Sequence, residues 1–116
     1  DNYAYDEDGK KTQKEREEAA KQRIFSILPK DQMEELTSLF EEFEAGESAE
    51  SRYARAMDNL QPLILNDSND GSDWKEHGVK AEQVYARQGQ TKEGSEKLYE
   101  VTDSIIKRHI EKGNLK

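Results

Sequence analysis

Between Tyr53 and Asn66 the chain reads YARAMDNLQPLILN, a run in which apolar positions crowd together and only Arg55 and Asp58 are charged. At 100° per residue, Tyr53, Met57, Leu60 and Ile64 share one side, Ala56 and Leu63 widen it, and Ala54, Gln61 and Leu65 form a second stripe with Asp58. A helix apolar around most of its circumference is a buried one, so the pattern predicts a buried helix over 48–65 with Ser48 as its N-cap. Asp58 would then ride at the edge of the core, where a charge without compensation is costly. Pro62 adds strain, because it lacks the N–H that would serve the carbonyl of Asp58, and a bend or opening is expected at that turn.

The rest of the pattern is also helical. Residues 1–10 read as an acidic loop, with Tyr3 and Tyr5 beside Asp6, Glu7, Asp8 and Gly9. Thr12 with Glu15, and Asp31 with Glu34, have capping-box spacing, and they open helices predicted over 12–28 and 31–45, separated by Pro29. The first gathers Ala20, Ile24, Ile27 and Leu28 on one edge; the second carries Leu36, Leu39, Phe40 and Phe43 at i, i+3, i+4, i+7 and ends at Gly46. A short helix follows over 80–88 and a long last one over 91–112, with Leu98, Val101 or Thr102, Ile105, Ile106 and Ile110 inward and Gly113 closing it. Trp74 reads as a packing anchor. No stretch has strand periodicity, and the fold class predicted is all-α.

Composition makes the core thin. Hydrophobic residues are 32% and charged residues 38% of 116, against roughly 45–50% apolar and about 25% charged in ordinary globular domains. Either the domain is highly solvated or its apolar face is completed by further chain or a second subunit. The first residue is Asp, not Met, which points to the second. The formal net charge of −8 disfavours nucleic-acid polymers and anionic membranes as partners. No apolar run is long enough to span a bilayer, and no cysteine is present for disulfide, zinc-thiolate or thiol chemistry. A cytoplasmic location is the natural expectation.

Candidate chemistry is sparse. The segment NDSNDGSD (66–73) looks like a calcium loop, but with Gly71 in the glycine position His77 stands where the bidentate Glu belongs. His77 has no second histidine at ligand spacing and reads as a surface or capping residue; His109 reads as core packing or exposed. Glu41, Glu42, Glu44 and Glu47 form a solvated face. Asp58 remains, with two readings open on residue chemistry: an ordinary pair with Arg55 three residues earlier, or a metal-binding or catalytic carboxylate.

The runs ARAMDNLQPLILND (54–67) and DWKEHGV (73–79), together with DNYAYD (1–6), EREEAA (15–20) and EEFEAGES (41–48), resemble the C-terminal half of HD-domain metal-dependent phosphohydrolases, in the branch related to bacterial deoxyribonucleoside 5′-monophosphatases. The resemblance implies a helical HD-domain-like bundle, incomplete in this chain and cut just after the His-Asp segment. It implies a divalent metal held by a His, a His-Asp pair and a final Asp, of which only Asp58, as that final Asp, has a match here. Asp1 would correspond to a substrate-side Asp. The implied substrate is a nucleoside 5′-monophosphate or similar phosphoester, and the chain alone would be inactive. A homodimer, or pairing with the missing N-terminal segment, would cover the apolar faces. The rival reading is a non-catalytic helical interaction module.

Overall fold

The structure is a computed structural model that describes residues 6–116. The described residues are helical and contain no strand, and the chain divides into two compact units, residues 1–41 and 42–116.

In the first unit the segment expected to be a loop contains one helical turn, α1 (Glu7–Lys10). Asp6 explains it: its carboxylate accepts from the Gly9 N–H at 3.1 Å, while Glu7 and Asp8 lie at the positive end of the turn and Lys10 at its negative end. Helix α2 (Gln13–Phe25) ends earlier than the predicted 28, because Ile27 and Leu28 close tight turns onto the carbonyls of Ile24 and Phe25. Thr12 precedes α2 but makes no side-chain cap bond. Helix α3 (Lys30–Ala45), whose last turn with Phe43 belongs to the second unit, starts one residue before the predicted boundary, directly after Pro29, whose carbonyl accepts from Met33 N. A proline costs little there, since the first turn has no use for its N–H. Asp31 therefore lies within the first turn and does not cap it.

The packing of this unit is looser than its apolar stripes suggest. Ile24, Ile27, Leu36 and Leu39 are exposed, and α3 buries none of its residues. What holds the hairpin is an edge-to-face contact of Phe25 with Phe40, ring centroids 6.0 Å apart, capped by the Lys21 ammonium 5.2 Å from the Phe40 centroid. Lys21 is buried, and its Nζ meets Glu18 at 2.8 Å.

The second unit is built on α4 (Ala49–Ser68), with α5 (Ser72–Glu76), α6 (Ala81–Gln88), α7 (Thr91–Gly94) and α8 (Glu96–Glu111) around its inner side. Ser48 caps α4 as predicted, accepting from Ser51 N at 3.1 Å. The helix continues through Pro62 and runs three residues past the predicted end at 65. Its inner stripe, Ala56, Leu60 and Leu63, joins Trp74, Val79, Val84, Ile105, Ile106 and Leu115 in the core.

The single last helix expected over 91–112 is two helices. Ser95 is extended and caps α8 by accepting from Leu98 N at 3.2 Å. The break follows from close packing: Gly94 lies so near α4 that a Cβ there would stand 2.5 Å from the Arg52 carbonyl oxygen. The chain needs a glycine at that crossing and then turns away into α8. Beyond α8, Lys116 pairs with the segment before α6, donating to the Val79 carbonyl at 3.1 Å and accepting from Ala81 N at 2.9 Å.

Candidate metal-ligand site

Helix α4 is one-sided. Its outer face exposes Tyr53, Met57, Ile64 and Leu65, and Asp58 stands among them in solvent. The expectation of a buried helix carrying a buried carboxylate is therefore corrected. Only three of the apolar positions used to predict burial, Ala56, Leu60 and Leu63, are covered by neighbouring helices, so Asp58 bears no desolvation cost.

The Arg55–Asp58 pair does not form either. The Arg55 guanidinium donates to the carbonyl of Phe43 at 3.1 Å and stacks 4.9 Å from the Phe43 ring centroid. That carbonyl belongs to the last turn of α3, where helix geometry leaves acceptors without intrahelical donors and a cation is favoured. Among the described residues, no hydrogen bond or ion pair engages the Asp58 carboxylate. It sits in the wall of an open groove of about 550 Å³ lined also by Phe43, Ala54, Met57, Gln61, Ile64 and Leu65. A hard oxygen donor is thus presented, without a competing cation, at a surface otherwise almost wholly apolar.

A second polar cluster, legible only in part from the sequence, lies at the other end of α4. His109 is completely buried; its Nε2 lies 2.7 Å from Asp67 Oδ1, and Asn114 Nδ2 lies 2.9 Å from its Nδ1. The Asn114 amide also donates to the Asp70 carbonyl at 2.9 Å. With Nδ1 accepting from Asn114, the imidazole proton belongs on Nε2, where it is donated to Asp67. Arg108 donates to the same Asp67 oxygen, and this hydrogen bond, helped by His109, holds the Asp67 carboxyl below its usual range against the opposing effect of burial. The Trp74 ring meets the imidazole edge-to-face at 5.1 Å. The prediction of Trp74 as a packing anchor holds, and of the two readings of His109 the core one is correct.

These contacts dissolve the calcium-loop appearance of residues 66–73. Asn66, Asp67 and Ser68 are the end of α4; Asp67 serves His109 and Arg108, Asp70 meets Lys112 at 2.8 Å, and Asp73 accepts from the Asn69 amide at 3.0 Å. His77 Nδ1 lies 2.8 Å from the carbonyl of Asp73. Among the described residues, no three His, Cys, Asp or Glu side chains are placed to hold a metal ion. Asp67 follows Asp58 by nine residues, about 13 Å along the helix axis, so the two carboxylates do not share a site. Asp1 lies outside the described residues. No described helix is long and apolar enough to cross a membrane.

The HD domain family matches residues 1–99 of this sequence. The chain belongs to the HD domain family. Among solved structures, one described as a predicted metal-dependent phosphohydrolase from Magnetospirillum magnetotacticum MS-1 is similar, with a TM-score of 0.89 and 36% identity over 99% of this chain. The chain spans 57% of the length of that protein. No functionally curated protein matches. The all-α HD-domain fold expected from the sequence is the one observed.

Tested against the divalent ion that the family resemblance implies, the described residues offer one donor of suitable chemistry and no complete ligand set. Asp58 has the right chemistry, a hard, accessible and uncommitted oxygen donor.

Proposed function

We propose that this HD-domain chain works as part of a metal-dependent phosphohydrolase that cleaves a phosphomonoester, with a nucleoside 5′-monophosphate as the substrate class. The observation that carries this reading is the state of Asp58: a carboxylate with no protein partner among the described residues, on a proline-containing helix, at an apolar groove. Other exposed carboxylates of the chain, such as Glu34 and Glu44, also lack a partner among the described residues; Asp58 differs in standing in an apolar groove. The 36% identity to a chain described as a predicted metal-dependent phosphohydrolase supports the same reading.

In this reading Asp58 donates one oxygen to a divalent ion, and the remaining ligands, imidazoles among them, come from chain outside these 116 residues. A bound ion of this kind brings the pKa of water toward neutrality and withdraws charge from a phosphoryl oxygen. The part of the described chain is to hold the carboxylate on α4 and to surround it with Met57, Ile64 and Leu65, which exclude water once the groove is covered. The apolar outer face of α4 is the seat for the segment that brings the other ligands.

The test is Asp58→Asn in the natural full-length protein. Metal-dependent hydrolysis of nucleoside 5′-monophosphates is expected to disappear while the melting temperature of the metal-free protein stays unchanged. Activity at the level of the unsubstituted protein would overturn the assignment. The 116 residues by themselves are expected to show no turnover, and metal-dependent turnover by this chain alone, free of contaminating phosphatase, would refute the claim that the other ligands lie elsewhere.

The exposed face of α4 also supports a second reading, a non-catalytic helical module that binds a partner helix along Tyr53, Met57, Ile64 and Leu65. Under that reading Asp58→Asn changes neither metal binding nor any hydrolysis.

A further inference from the structure

The turn of α4 that carries Asp58 lacks one backbone hydrogen bond. Pro62 has no N–H to offer the Asp58 carbonyl, so the hydrogen bond that would tie residue 58 to the following turn is missing. The outer side of the turn faces the groove, and among the described residues no side-chain hydrogen bond or ion pair reaches residues 58–62 from that side. The restraint comes from the inner side and from 29 residues away in sequence: Gln88, at the end of α6, sends its Nε2 to the carbonyl of Asn59 at 2.8 Å. Among the described residues this is the only side-chain hydrogen bond from another element to the backbone of residues 58–62.

The amide is held in that orientation. Gln88 is only 2% exposed, and Thr91, wholly buried, donates its hydroxyl to Gln88 Oε1 at 3.3 Å. A backbone carbonyl can only accept, so the NH₂ end must face Asn59 and the oxygen end must face the hydroxyl. A buried glutamine loses considerable side-chain freedom, and an apolar residue of similar length would fill the same space without that polar burial. Here the polar group is aimed at the Asn59–Leu60 peptide unit, one unit beyond the one that joins Asp58 to Asn59.

We propose that Gln88 is a positioning residue for Asp58, fixing through the Asn59 carbonyl the proline-relieved turn on which that carboxylate stands. This deepens the assignment of Asp58 as a metal ligand and rests on it. Gln88 touches neither metal nor substrate; it acts by keeping the Asp58 backbone from rocking about Pro62, and Thr91 acts by keeping the amide turned.

The test uses the natural full-length protein and Co²⁺ alone, whose visible absorption reports its ligand geometry, together with the melting temperature of the metal-free protein. Gln88→Met keeps the length of the side chain and removes the donor. The Co²⁺ Kd is expected to rise about tenfold, as is usual when an outer partner of a metal ligand is removed, and the absorption band to shift. A lowered melting temperature with Kd and band unchanged would show that Gln88 is merely structural and overturn the proposal. Asp58→Asn separates the two levels. Unchanged Co²⁺ affinity in that variant sinks the metal-ligand assignment and the proposal with it; lost affinity there, with Gln88→Met within about twofold of the unsubstituted protein, sinks the positioning role alone. Should Gln88→Met fail to fold, Thr91→Val carries the comparison, with a Kd rise of about threefold expected and an unchanged Kd and band overturning the proposal.

Discussion

The buried imidazole of His109 donates from Nε2 to Asp67 Oδ1 at 2.7 Å, joining the last turn of α8 to the last turn of α4. Because His109 has no solvent to fall back on, its partner matters. Asp67→Asn removes the charge that Arg108 and His109 share and is expected to destabilise the chain by about 1–3 kcal/mol in urea denaturation. The pH dependence has a definite sign. The Asp67 carboxyl is held below its ordinary value of 3.8, first by the Arg108 hydrogen bond. The folded state therefore binds this proton less tightly than the unfolded state. The stabilisation is fully present above about 4 and is lost as pH falls through the depressed folded value. Urea midpoints measured from pH 5 downward should fall more steeply for the unsubstituted protein than for Asp67→Asn; parallel slopes would refute the linkage.

Gly71 is constrained twice. Its φ is +70°, and a Cβ there would lie 2.7 Å from His109 Nδ1 and 2.9 Å from the Asn114 amide nitrogen. Gly71→Ala is expected to cost about 1–3 kcal/mol from the backbone conformation alone, and more from displacing the imidazole. The check is thermal denaturation of Gly71→Ala beside Gly46→Ala, where φ is +66° and nothing lies within 4 Å of the added carbon. Equal losses at the two positions would show that the clash with His109 contributes nothing.

Tyr85 donates its hydroxyl to Asp103 at 2.7 Å, and Asp103 in turn meets Lys107 at 2.7 Å. Burial, followed by the Asp103 hydrogen bond, pushes the Tyr85 phenol up from 10.0 to about 12. A raised value means the folded state holds the proton longer. The contribution is complete below 10 and disappears as pH rises toward 12. An ultraviolet titration should show one tyrosinate appearing near 12, and Tyr85→Phe should remove that step.

The outer face of α4 gives a prediction whose size depends on its surroundings. Met57→Gln and Leu65→Gln place polar groups where the isolated chain is exposed, so its stability should move by no more than about 0.5 kcal/mol. In the natural full-length protein the same substitutions should cost more than about 1 kcal/mol each if the face is covered by further chain. Equal, small effects in both settings would mean that the face stays in water.

Much of the helical architecture was legible because it depends on short-range rules. Pro29 separates α2 from α3, Ser48 starts α4, and Gly113 ends the last helix, each through backbone chemistry that one or two residues control. The errors occurred where distant residues intervene. Thr91 to Lys112 has an unbroken helical pattern, yet Ser95 interrupts it because Gly94 must lie against Arg52, 42 positions earlier. Arg55 has Asp58 at ideal helical spacing and takes the end of α3 instead.

The sequence by itself determined that the chain is helical, acidic and free of thiol chemistry, and that one carboxylate stands beside a proline in its most apolar stretch. Periodicity, propensity and the wording of that stretch act locally and survive without knowledge of the neighbours. Only the tertiary structure decided which side of that stretch is covered. Leu60 and Leu63 face Trp74, Val84 and Ile106 in one core, while Met57 and Leu65, no less apolar, remain in water with Asp58. Apolar character supplies the tendency to be buried, but burial also requires a surface on the other side, and for the outer face of α4 the described residues provide none.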